Sequence, residues 1–324
     1  MTPAQFQGGA PPGGGATAPE GAGAPEGAGA PEGAGTAGGS GAPPPARPAP
    51  GLRPGLLRVV TSVLLLPLLL VFALCPPWVA LVVLAAGAAI GFHEVAGLLR
   101  AKGLFPLRVE GTLLAVGLVV AYSFPNWGAG AVLAATIAAL PLGYILRRLP
   151  VEKAFGSIAG TLLGVLLVGV FLGFLMGLRR VGWPADPWLG GRLLLFLCLV
   201  VCPADIGAYY VGTAFGRTKL APHLSPKKTW EGLAGGIAAS LLGAAAAKLL
   251  FLPVLAWPHV LVLGAGLSVM GALGDLSVSL LKRSAGVKDM GRLLPGHGGM
   301  LDRFDSWIFA SPALFYYWKY AVAR

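Results

Sequence analysis

The sequence predicts an all-α fold: a polytopic helical bundle embedded in a membrane, with about nine transmembrane helices and a disordered N-terminal tail. Two observations carry this prediction. Hydrophobic residues make up 56% of the 324 positions and charged residues only 11%. Mean hydropathy is +0.75, too apolar for an ordinary soluble protein of this length. The apolar residues also gather into runs, most of them near the roughly 20 residues that a helix needs to cross the hydrocarbon.

Residues 1 to 52 stand apart from the rest. Gly, Ala and Pro dominate them, and APEGAG occurs three times between Ala18 and Gly35. Such a segment has almost nothing to bury, so disorder is expected. It has no basic stretch followed closely by an apolar core, as a signal peptide would. Gly does not recur at every third position, as collagen requires. The segment reads as a tail or spacer.

The membrane domain is expected from 53 to 324. Its candidate spans run over 59 to 75, 79 to 99, 109 to 124, 129 to 146, 155 to 178, 192 to 213, 233 to 252, 257 to 281 and 306 to 321. The first and last are short. With strict alternation, eighteen of the 24 lysines and arginines fall on one side, among them Arg100, Arg147, Lys227 and Lys282. Five fall on the other. The positive-inside rule then places the N-terminus and two charged loops, 214 to 232 and 282 to 305, in the cytoplasm. The net charge of +11 is accounted for by these span-end cations, so no nucleic-acid partner is inferred from it. Cys75, Cys198 and Cys202 all lie in apolar runs and read as small core residues.

One stretch departs from the apolar background. Between Ser279 and Asp305 the chain reads SLLKRSAGVKDMGRLLPGHGGMLDRFD. Ser279, Lys282, Arg283, Lys288, Asp289, Gly291, Pro295, His297, Gly298, Gly299, Asp302, Arg303 and Asp305 keep the spacing of a known signature, and the pattern resembles that of the phosphatidate cytidylyltransferase family. The resemblance implies an integral membrane enzyme that joins CTP to phosphatidic acid, giving CDP-diacylglycerol and pyrophosphate. It also implies a homodimer in the bacterial inner membrane, with the active site on the cytoplasmic side. Val278 stands where many relatives have Glu, so no role is carried to that position.

The residues point the same way on their own chemistry. A carboxylate within the hydrocarbon costs roughly 2.5 to 3.5 kcal/mol on insertion scales and demands a reason. Asp275, Ser279 and Lys282 fall at i, i+4 and i+7 and share one helix face, as do Asp205, Tyr209 and Gly212. Asp275 is expected to bind Mg²⁺, a hard cation that takes one or two carboxylates and substrate phosphates. Asp205 reads equally as a site residue or as a helix-pairing carboxylate. Asp302 is taken as a second metal ligand, which the resemblance supports, and a second cation is not excluded. Asp305 reads as a helix cap.

Lys282, Arg283, Lys288 and Arg303 are expected to meet phosphates, and Asp289 to orient a base or touch the nucleotide. His297 suits phosphate binding or proton relay. Gly298 and Gly299 suit close approach of backbone N–H groups to phosphate. In the first loop, Lys227 and Lys228 are expected to bind phosphate. Ser225 before Pro226 has the pattern of a helix N-cap. His93 and Glu94, adjacent near the end of the second span, read as structural residues, with a polar contact in a lipid entrance as the alternative. A transporter for a phosphorylated anion is the rival from another class, and it predicts broken helices near the midplane. An enzyme acting on another lipid phosphate is the second alternative.

Overall fold

The computed structural model describes residues 74–124, 128–291 and 298–323. Its helices are α1 (Pro77–Ala101), α2 (Arg108–Ser123), α3 (Ala129–Leu146), α4 (Ala154–Val165) and α5 (Phe171–Arg180). Then come α6 (Leu189–Phe215), the strands β1 (Lys219–Ala221) and β2 (Ser225–Thr229), α7 (Trp230–Leu250), α8 (Trp257–Ser284), α9 (Leu301–Phe304) and α10 (Trp307–Tyr317). A π-helical turn, Leu166–Val170, joins α4 to α5, and another, Trp318–Val322, extends α10.

Among the described residues six helices are long and apolar enough to cross a membrane: α1, α3, the continuous run Val151–Arg180, α6, α7 and α8. The protein is therefore a multi-pass membrane protein with an all-α core. α2 and α10, expected as spans, are shorter helices of 16 and 11 residues. The expected span 59 to 75 falls almost wholly outside the described residues, and the tail, 1 to 52, lies outside them altogether.

Small residues set the closest packing. Helices in lipid gain little from hydrophobic burial against one another, so they associate where backbones can approach. α6 and α7 show why. Pro203 has no N–H to give the carbonyl of Leu199, and that carbonyl lies against Gly243 of α7, where a Cβ would sit 1.8 Å from it. Any side chain at 243 would pry the two helices apart. α8 joins the pair through Ser240, whose buried hydroxyl donates to the carbonyl of Gly264 at 2.7 Å. Around them, Phe92, Phe171, Phe196 and Leu197 are almost wholly enclosed.

One local expectation is overturned. Ser225 does not cap a helix; it begins β2, which pairs antiparallel with β1 in register Ala221↔Ser225 and Lys219↔Thr229. The cap of α7 is Thr229, extended at φ −131° and ψ 156°, whose Oγ1 accepts from the N–H of Gly232 at 3.1 Å. Glu231 fastens the hairpin from the first turn of α7, its carboxylate accepting from the N–H groups of Arg217 and Thr218 at 3.1 Å. This hairpin carries Lys227 and Lys228, and the α7–α8 turn-back returns the chain to it.

Candidate active site

A cleft of about 330 Å³ opens where α6, α7, α8 and β2 meet. Small and apolar residues, including Ala208, Gly236, Leu233 and Ala272, make up much of its lining. Its charged lining comes from Asp205 of α6, Asp275 of α8, Asp305 after α9, and Lys227 and Lys228 of β2. α6 and α8 each run unbroken past their aspartate, unlike the interrupted helices expected of a transporter.

Helical spacing builds each wall. Asp205, Tyr209 and Gly212 all line the cleft. On α8, Ser279 donates to Asp275 Oδ1 at 3.3 Å, one turn along. Asp275 Oδ2 meets Lys228 Nζ at 2.5 Å, and Lys228 also reaches the carbonyl of Ala272 at 3.4 Å. Strand alternation explains the two lysines: Lys228 turns inward to α8, and Lys227 stays exposed at the mouth.

Asp302 sits differently from its neighbour three residues on. Its side chain is only 3% exposed and pairs with Lys282 Nζ at 2.8 Å. Its other oxygen accepts from the N–H groups of Met290 (2.8 Å) and Gly299 (2.9 Å). Both oxygens are thus engaged inside the signature loop, and Asp302 does not line the cleft. Asp305, read from sequence as a cap, does line it, while accepting from the N–H of Ser306 at 2.9 Å. Burial, and then the nearby charge of Asp275, pushes the Asp305 carboxyl up to about 7. The Ser306 hydroxyl donates to Asp205 on the opposite wall.

Arg283, Lys288, Asp289 and Arg303 are exposed and do not line the cleft; Asp289 packs beside Gly298. Gly298 has a left-handed backbone, φ +81°, which glycine alone adopts at little cost. The N–H of Gly299, expected to face a phosphate, is taken by Asp302. His297 lies outside the described residues.

The carboxylates suit a hard cation by chemistry. Among the described residues no three His, Cys, Asp or Glu side chains converge closely enough to hold an ion by themselves. A cation there would need oxygens from a ligand as well.

Glu94 was read as a structural residue. It is a buried carboxylate on α1 that accepts from the N–H groups of Met300 and Leu301 at 2.8 and 3.1 Å. The one sequence signal was its ionisable side chain within an apolar run.

The model of the cytidylyltransferase family matches residues 56–321. The phosphatidate cytidylyltransferase of Synechocystis sp. is 31% identical, over 80% of this chain and 95% of its own length. That of Bacillus subtilis is 39% identical over 50% of this chain and 58% of its own. That of Haemophilus influenzae is 38% identical over 47% and 54%.

Proposed function

The chain belongs to the cytidylyltransferase family, and from that premise we propose that it is the nucleotidyltransferase that joins CTP to phosphatidic acid. The observation that carries this reading is the single cleft where three carboxylates and two lysines meet beside a largely apolar wall. A lipid phosphate can enter such a site with its acyl chains still among the helices.

In the reaction, an oxygen of the lipid phosphate attacks the α-phosphorus of CTP. The bond from that phosphorus to the oxygen bridging the β-phosphate breaks, and pyrophosphate leaves with the electron pair. Little covalent chemistry is asked of the protein; alignment and neutralisation of charge are what matter. Lys227 and Lys228 face the cleft from β2 and meet phosphate oxygens. Arg283, Lys288 and Arg303, exposed within the signature stretch, draw the polyphosphate in.

Mg²⁺ would be held by Asp275 in the cleft that Asp205 and Asp305 also line, with substrate oxygens completing its shell, and would supply charge neutralisation at the nucleotide phosphates. Asp302, expected as a second ligand, has both oxygens engaged away from the cleft and holds the signature loop instead. The Lys228–Asp275 pair makes this reachable: Lys228 would move to a phosphate as Asp275 accepts the cation, so no charge is left bare. The bacterial inner membrane, the cytoplasmic face and a homodimer are supported by family membership, and the face also by the distribution of Lys and Arg.

Purified protein in detergent, given phosphatidic acid, Mg²⁺ and α-labelled CTP, tests the reading. Label in the lipid together with released pyrophosphate is expected. Neither appearing from folded protein would overturn it, and transfer to a different lipid phosphate in parallel would correct the acceptor.

A further inference from the structure

Past the left-handed turn at Gly298, three successive backbone N–H groups enter α9. Runs of N–H groups after a glycine turn are ready anion sites. Here all three are already filled from within the protein. Asp302 takes the N–H of Gly299 at 2.9 Å, and Glu94 takes those of Met300 (2.8 Å) and Leu301 (3.1 Å), one on each carboxylate oxygen. Glu94 comes from α1, more than 200 residues earlier in the chain.

A buried carboxylate in a membrane bundle is costly, and Glu94 is only 8% exposed. Two charge-assisted hydrogen bonds offset that cost and fix its direction. The surroundings are cut to fit it. A Cβ at Gly299 would stand 2.6 Å from Glu94 Oε2, and one at Gly291 2.8 Å from Oε1. Two glycines of the signature therefore lie against this one carboxylate, and a side chain on either would expel it.

We propose that Glu94 is a positioning residue for nucleotidyl transfer, a role that rests on the reaction proposed above. It anchors the signature loop to α1 and holds Asp302 and Asp305 in register with Asp275. Gly291 and Gly299 are glycines in order to admit its carboxylate, not to bring their backbone up to a phosphate.

The test compares full-length wild type, E94A, E94Q, G299A and E94A/G299A in detergent, by amide hydrogen exchange and by steady-state kinetics. In E94A the amides of 299–301 are expected to exchange about tenfold faster or more, with exchange elsewhere unchanged. Turnover should fall about 10- to 100-fold, with KM for CTP within about threefold, because misaligned groups cost rate rather than nucleotide binding. G299A should match E94A, and the double variant should be no worse than the worse single one, since both break the same contact.

Unchanged exchange in folded E94A would overturn the proposal, as would penalties that multiply in the double variant. Should E94A fail to fold, E94Q carries the same test. It keeps the volume but sets an amide NH₂ donor against a backbone N–H, so faster exchange and slower turnover are again expected, and wild-type values would overturn the anchor. If wild type itself transfers no cytidylyl group, the reaction proposed above fails, and the exchange data, with the same cycle run on melting temperatures, still decide what Glu94 holds.

Discussion

Two lysine–aspartate pairs each draw one partner from α8, and they differ in burial and in the bonds around them. Lys228 and Asp275 meet at 2.5 Å with their side chains 26% and 29% exposed, on the wall of an open cleft. Lys282 and Asp302 meet at 2.8 Å with side chains 12% and 3% exposed, inside the signature loop. The first pair has two longer ties, from Ser279 to Asp275 at 3.3 Å and from Lys228 to the carbonyl of Ala272 at 3.4 Å, and in the proposed reaction exchanges partners with an incoming ligand. The second is backed by two amides that stitch residues 290 and 299 together. Distance alone does not tell a reactive pair from a structural one; burial and the remaining hydrogen bonds do. Where a pair is buried and fully bonded, removing one partner leaves a bare charge.

The largest expected effect separates the pairs directly. Asp275→Asn should cut turnover about 10³-fold or more, the scale of losing a main electrostatic contact in the reaction. Its melting temperature should stay within about 3 °C of wild type, because Lys228 can turn to water. Asp302→Asn should do both kinds of damage. Breaking the buried pair should cost about 3 kcal/mol of stability, and the loosened loop should slow turnover about 10²-fold. Thermal melts in detergent beside labelled-CTP turnover check both variants. Equal melting temperatures for the two would break the distinction between the pairs.

The lysines sharpen the contrast further. Lys228→Met should lower kcat/KM for CTP about tenfold, as removal of one phosphate contact does. Lys227→Met, on the exposed side of the strand, should lower it only about threefold. An equal loss at both positions would mean that the alternation of β2 does not decide which lysine acts. Raising the ionic strength should erase the smaller effect first, since exposed charges are screened more fully than half-buried ones.

Much of this arrangement was legible from residue order. Apolar runs located α1, α3, α6, α7 and α8 within a few residues, because a span must be long and greasy wherever it packs. Helical spacing put Asp275 with Ser279, and Asp205 with Tyr209 and Gly212, on shared faces. Ser225–Pro226 was misread because its pattern fits both a cap and the start of an edge strand. The β-branched Thr229, with Gly232 three residues on, makes the better cap. Asp302 and Asp305 are three apart, yet one points into the loop and the other into the cleft. That choice is made by Lys282 and by the amides of 290 and 299, which local sequence does not reveal. Glu94 was out of reach for the same reason: its partners lie on the far side of the chain.

The smallest expected effect tests whether the joint beneath Lys228 belongs to the chemistry or only to the scaffold. Thr229 follows Lys228 directly and is buried, and its Oγ1 caps α7 through the N–H of Gly232. Thr229→Ala should cost about 1 kcal/mol, the ordinary worth of an N-cap, and Thr229→Ser should restore most of it by returning the oxygen. Turnover in the alanine variant should fall less than about threefold, because Glu231 still holds the hairpin to α7 through two backbone N–H groups. Melting curves and turnover on the two variants check this. A tenfold loss in Thr229→Ala, matching Lys228→Met, would show that the direction of Lys228 is set by the cap; the exposed pair would then depend on its scaffold as closely as the buried one does.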